Sequence, residues 1–374
     1  MMGGEAAMVV ALADSFFFDV DPNGARSKVL CFLLVSFLPF LLVAPMIGPL
    51  IDRVRGGRRL IVQVVAAARI VLQLLMIQFI DDIALFPLVF VALVLQKTYL
   101  VSKSALVPAV VRSETELVEA NSKLGLIAGV AGSAAVLPAV ALQIGVGTSA
   151  TLLYGAAVFG VALFESLQLP RELVIRPDEP SAASVEATTT SLQLAWVAML
   201  ILRGTAGFML FHLAFLFRGE PDERVLLGVA VALSSLGTLI GNASAPRMRR
   251  RIHEERMISL ALGLPAVAGL VGAVLGGPRA GIALAAIVGF SAAICRLSFE
   301  SIVQRDGPAT NRGQAFARFE TRFQLAWVVA ALLPVLLEIP GSVGYLLVGA
   351  VCAAAVVNYV AGIRAPAPNA VTRR

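Results

Sequence analysis

Eleven apolar runs, each about as long as a bilayer is thick, are strung along this chain with only short polar turns between most of them. A twelfth, shorter run stands at the start. A helix needs ~20 apolar residues to cross ~30 Å of hydrocarbon. Inside lipid, only helices and closed barrels satisfy every backbone N–H and C=O. Barrel strands would alternate in polarity over ~10 residues, and these runs do not alternate. The chain therefore reads as an all-α membrane protein. Its 374 residues are 58% hydrophobic with a mean hydropathy of +0.87, too apolar for a soluble domain with a solvated face.

The runs fall at 6–18, 29–51, 60–80, 84–107, 124–144, 148–168, 194–217, 225–246, 257–276, 278–300, 315–337 and 341–363. We call them spans 1 to 12. Charge sets their direction. GPLIDRVRGGRR, residues 48–59, packs four arginines into seven positions between spans 2 and 3. Lys and Arg close to span ends resist translocation, so this turn faces the cytoplasm. If loops alternate from there, 22 of the 30 basic residues lie in cytoplasmic turns or the tail, and five lie opposite. That bias predicts twelve spans with both ends cytoplasmic. The net charge of +6 is absorbed by these turns, so nucleic acid is not implied.

Span 1 is anomalous. It is only 13 positions long, with Glu5 before it and Asp14 inside, and no basic n-region marks it as a secretory signal. It reads as the outer half of a first helix whose inner half is missing, or else as a short re-entrant segment. The turn 110–123 is charged and amphipathic. The longest polar stretch, PRELVIRPDEPSAASVEATTT at 170–190, has linker composition. The expected organisation is a six-helix half at 1–168, a cytoplasmic linker at 169–193, a second six-helix half at 194–363 and a tail at 364–374. The halves echo each other: GTLIGNASAPRMRRR at 237 repeats the pattern of residue 48 after 189 residues, with Gly241 where Asp52 stands. A parallel repeat of two six-helix units produces such an echo.

Gly48, Leu50, Asp52 and Arg53, with the basic residues Arg58 and Arg59, resemble motif A of the major facilitator superfamily, although the next glycine, Gly56, falls one place late. Lys97 stands within about one residue of the motif B arginine of span 4. Gly125, Gly129 and Gly132 precede Pro138 without the Gly-Pro pair that closes the antiporter motif C. The resemblance implies the major facilitator fold: two six-helix bundles, twelve transmembrane helices with the first incomplete, and spans 1, 4, 7 and 10 around a central crevice. It also implies a gate. Asp52 would face the N-terminal end of span 11, near Gln314 to Arg318, and Arg53 and its neighbours would hold the cytoplasmic side closed. Gly4-Glu5 is similar to the Gly-acid pair that the family often carries in span 1.

No catalytic constellation, phosphate-cradling loop, cofactor motif or metal spacing is present, and no enzyme is expected. Cys31, Cys295 and Cys352 lie singly in apolar runs. Intramembrane charge remains, and a basic side chain at a span centre costs roughly 2.5–3.5 kcal/mol on insertion scales. Lys97 would attract an anionic group, compensate Glu5 or Asp14, or snorkel. Arg203 on span 7, beside Gly204 and Gly207, fits either the crevice or helix packing. Glu5 and Asp14 are the candidate proton carriers. Arg69, near mid-membrane on span 3, and the Arg296–Glu300 pair, four apart on one helical face, read as structural buried charge. His212 reads as a helix contact. The resemblance, to bacterial efflux members in particular, implies secondary active transport in a bacterial inner membrane: proton-coupled efflux of a small amphipathic or hydrophobic molecule, an antiport by alternating access, by a monomer. Uptake or facilitated diffusion of a metabolite, and a non-transporting sensor or scaffold, are the alternatives.

Overall fold

The computed structural model describes residues 1–13, 58–80, 82, 84–106, 114–168, 190–218, 222–306 and 312–364. Among the described residues the chain forms eleven α-helices and no strands. They are α1 (Met2–Ala13), α2 (Arg58–Gln78), α3 (Leu85–Leu106), α4 (Glu114–Gly145), α5 (Thr148–Ser166), α6 (Thr190–Leu216), α7 (Glu223–Arg249), α8 (Glu254–Leu275), α9 (Gly277–Asp306), α10 (Arg312–Leu336) and α11 (Gly341–Arg364). Nine of these are long and apolar enough to cross a bilayer, while α1 and α3 hold shorter apolar segments, Met2–Leu12 and Pro87–Leu100. The fold is all-helical, as the composition requires. Predicted span 2 lies outside the described residues, so α2 corresponds to span 3 and each later helix to the next span.

Several boundaries differ from the expected runs: α1 begins at Met2 instead of 6, α9 continues to Asp306 instead of 300, and the largest difference is at the start of α4. Residues 114–123 are no turn between spans; they are the first turns of the 32-residue α4. ETELVEANSK contains neither Gly nor Pro, and Lys123 pairs with Glu119 one turn back at 2.9 Å. Both features favour helix over loop.

Two compact units emerge. One comprises Met1–Pro180 with Pro308–Leu325, the other Ser181–Gly307 with Ala326–Arg374. In the first unit α1 packs on α4 and α5, and α2 packs on α3 and α5. In the second, α6 packs on α11, and α8 packs on α9 and α11. If predicted span 2 is counted between α1 and α2, each unit joins its first helix to its sixth, its third to its sixth and its third to its fourth. The echo seen in sequence thus recurs as a repeated packing pattern.

Small residues make these crossings tight. Where α8 crosses α11, a Cβ on Gly269 would lie 2.5 Å from the Gly349 backbone nitrogen and 2.7 Å from its Cα. Between α7 and α9, a Cβ on Gly237 would strike the Ala286 carbonyl, and Thr238 Oγ1 donates to the Gly289 carbonyl at 3.3 Å. Lipid supplies no hydrophobic drive between helices, so close backbone approach and such bonds hold them together. The outward surface is correspondingly greasy. Leu137, Ile144 and Val274 are 76, 82 and 87% exposed, a pattern that suits hydrocarbon and not water.

Candidate functional site

The first unit buries a charged cluster at the level where α1, α2, α3 and α5 meet. Its surroundings are apolar: Met8, Leu12, Leu72, Met76, Ala92 and Leu152 form one contiguous core. Arg69 is the largest fully buried side chain among the described residues, 1% exposed, at the twelfth position of the 21-residue α2. At 1.5 Å per residue it stands roughly 16 Å from the start of that helix, close to its middle. The guanidinium forms an ion pair with Glu5 of α1, which is itself buried. Its Nη1 donates to the Ala92 carbonyl of α3 at 2.7 Å, and its carbon lies 4.9 Å from the centroid of the Phe159 ring of α5. One side chain therefore ties together four helices.

Gln73 completes the arrangement one turn along. Residues four apart share a helical face, so Gln73 follows Arg69 toward α1, where its Nε2 donates to the Gly4 carbonyl at 3.2 Å. Two glycines admit these groups. A Cβ on Gly4 would lie 2.5–2.8 Å from the edge of the Phe159 ring, and one on Gly155 would meet the Gln73 amide carbon at 2.9 Å. Arg69 Nε and Gln73 Oε1 are buried without a hydrogen-bond partner among the described residues. Lys97 of α3 is half-buried, and its charge acts on Glu5 at longer range. Among the described residues, Glu5 is the carboxylate of this cluster, with Arg69 in contact and Lys97 farther off. Protonation of Glu5 would remove the ion pair, which is the contact that most directly binds α1 to α2.

Arg69, expected from the sequence as structural buried charge, is the direct partner of Glu5. Lys97, expected to attract an anionic group, compensate Glu5 or Asp14, or snorkel, acts on Glu5 from α3. Gln73 and Phe159 were not singled out. The i, i+4 spacing of Arg69 and Gln73 was the available signal for the first; nothing in the sequence marks the second. Asp14 and the motif A residues Gly48, Leu50, Asp52 and Arg53 lie outside the described residues. Arg58 and Arg59 open α2.

In the second unit Arg203 is half-buried on α6. Beside it, a Cβ on Gly204 would lie 3.4 Å from the Ala326 carbonyl, and one on Gly207 would strike that of Trp327. Arg296 Nε donates to Glu300 Oε1 at 2.8 Å along α9. His212 is buried, stacked on Phe208 at 5.1 Å and edge-on to Tyr345 at 5.8 Å, with Gly344 leaving room for the imidazole. Cys295 and Cys352 are buried free thiols, and no cluster of three or more potential metal ligands occurs among the described residues.

A second polar knot escaped the sequence reading. Glu254, the first residue of α8, is 0% exposed. Its Oε1 accepts from Arg249 Nε at 2.6 Å and from Ser301 Oγ at 3.0 Å, and Arg305 Nη1 approaches its Oε2 at 3.5 Å. Arg305 Nη2 also donates to Glu255 Oε1 at 3.1 Å. Buried carboxylates are tolerated when paired in this way. The knot fastens the end of α7, the start of α8 and the end of α9.

Comparison with known proteins places this architecture. The family model of the Major Facilitator Superfamily matches residues 6–331. An uncharacterised protein of Mycobacterium leprae is 26% identical over 92% of this chain, and one of Mycobacterium tuberculosis is also 26% identical over 92%. The chain spans 66% of the length of the first and 69% of the second. Among solved structures, it is similar to a bacterial homologue of the iron transporter ferroportin in an outward-facing state, with a TM-score of 0.71, 17% identity and coverage of 97% of this chain and 96% of that one. It is similar also to the Escherichia coli fucose:proton symporter FucP, with a TM-score of 0.74, 10% identity and coverage of 98% and 96%. These likenesses establish the fold, and the family match across most of the sequence establishes kinship: the chain belongs to the Major Facilitator Superfamily.

Proposed function

We propose that this chain is a secondary active transporter that exports a small amphipathic or hydrophobic molecule, driven by protons, through alternating access between its two bundles. The observation that carries the proposal is the buried Glu5–Arg69 pair with Gln73 and Lys97 beside it. Charge at mid-membrane is costly and is kept where it works. A carboxylate that gains or loses its proton there makes or releases the bond between α1 and α2, so proton binding is coupled to the packing of the first unit. Glu5 is the proton carrier, Arg69 its counter-ion, Gln73 the positioning residue that holds α1 at Gly4, and Lys97 the cation that biases the site toward anionic groups.

Apolar spans with few buried polar side chains suit an amphipathic cargo better than a sugar, whose hydroxyls want several partners. Asp52 and the arginines of 53–59 serve as the inner gate, Arg203 belongs to the crevice wall, and Asp14 assists near the outer vestibule. The protein sits in a bacterial inner membrane as a monomer with both ends cytoplasmic. The test is uptake of a panel of amphipathic dyes into everted membrane vesicles. Accumulation that collapses with an uncoupler supports the reading. Accumulation indifferent to the gradient removes proton coupling, and none across the panel removes export.

A further inference from the structure

The α7–α8 turn carries arginines whose neighbouring acids face the other way. Arg247, Arg249, Arg250, Arg251 and Arg256 fall within ten residues, with Glu254 and Glu255 as the acids of the same stretch. Those two carboxylates are occupied within the protein: Glu254 is fully buried against Arg249, Ser301 and Arg305, and Glu255 accepts from Arg305. Arg247, Arg251 and Arg256 are exposed. Arg247 turns one Nη1 back to the Ala243 carbonyl at 3.3 Å, which satisfies a donor but no charge.

The turn keeps the backbone that carries these arginines compact. Arg250 N donates to the Pro246 carbonyl at 3.2 Å, Arg251 N and Ile252 N to that of Met248 at 2.9 Å, and Arg256 N to that of His253 at 3.1 Å. Only four residues separate the end of α7 from the start of α8. The 22-residue α8 is roughly 33 Å long, little more than the ~30 Å hydrocarbon core, so its first turn emerges at headgroup depth. Cations grouped at that depth attract anionic lipid.

We propose that the α7–α8 turn is a binding surface for anionic phospholipid, with Arg247, Arg251 and Arg256 contacting the phosphodiester headgroup. The inward-facing acids are what make this surface cationic: Glu254 and Glu255 together neutralise Arg249 and Arg305 and leave Arg247, Arg251 and Arg256 to the lipid. Orientation signals require only that the turn carry positive charge, and give no reason for its acids to be withdrawn. The proposal stands apart from the transport reading, since lipid binding is measured on purified protein without substrate.

The test titrates detergent-solubilised full-length protein with phosphatidylglycerol or phosphatidylcholine and follows the thermal unfolding midpoint. Stabilisation by phosphatidylglycerol alone, with half-effect shifted roughly a hundredfold in Arg247→Gln/Arg251→Gln/Arg256→Gln, is expected if each arginine contributes about 1 kcal/mol. The corresponding triple lysine variant keeps the charge and should retain most of the effect, which separates lost binding from lost folding. Equal stabilisation by both lipids in the wild type overturns the proposal. So does an unshifted titration in the glutamine variant, or equal stabilisation by inorganic phosphate, which would make this a site for free anions.

Discussion

Replacing Arg69 by methionine removes the hub of the buried cluster while roughly preserving its volume. Three contacts disappear: the ion pair to Glu5, the 2.7 Å bond to the Ala92 carbonyl and the stacking over Phe159. The loss is dominated by Glu5, left as a buried carboxylate with no direct cation. Breaking a buried pair by deleting one partner costs about 3–5 kcal/mol. Glu5→Gln is milder, because the neutral amide still accepts a bond and Arg69 keeps Ala92 and Phe159; about 1.5–3 kcal/mol follows from the loss of a charged hydrogen bond. The double substitution Glu5→Leu/Arg69→Met leaves no orphan charge, so it is expected to be milder than the sum of its single substitutions by at least about 2 kcal/mol. Reversible unfolding in mixed micelles, followed by circular dichroism, measures all of these. Tryptophan fluorescence is unsuitable, since Trp196 and Trp327 both lie in the second unit. Additivity to within about 0.5 kcal/mol would refute direct coupling of the two side chains.

Glu254→Gln removes the buried charge paired with Arg249 and shared with Arg305, and is expected to cost about 3 kcal/mol, whereas Glu255→Gln, whose side chain is 26% exposed, should cost less than about 1 kcal/mol in the same unfolding assay. Gly269→Ala forces a methyl onto the Gly349 backbone, which has no rotamer to yield, so a loss of about 1–3 kcal/mol or more is expected. Lys97→Ala and Asp52→Asn should each reduce dye flux in everted vesicles at unchanged expression; undiminished flux in both would remove them from the working parts of the protein.

The fold was legible because lipid leaves few choices. The long apolar runs announced helices. Most helix limits fall within a few residues of the runs that predicted them. The largest exception, residues 114–123, arises because charge in a sequence reads as loop, although the stretch lacks any helix breaker. The site was legible only in part. Glu5, Arg69 and Lys97 stood out because charge in an apolar run is conspicuous. Their pairing did not, since residues 64 positions apart in sequence meet only through the packing of α1 on its neighbours. Phe159 and Gly155 looked like any other apolar span residues. Glu254 hid among arginines in a turn that topology alone explained. Its burial depends on α9 delivering Ser301 and Arg305, which no local pattern encodes.

The proposed proton drive through Glu5 can be read directly. It is tested most directly by recording proton movement, with a pH-sensitive fluorophore sealed in proteoliposomes, as an exported dye is added to wild-type protein and to Glu5→Gln. Dye-dependent proton flux is expected in the wild type and none in Glu5→Gln, with dye exchange across the membrane persisting in both. Undiminished dye-dependent proton flux in Glu5→Gln would contradict it.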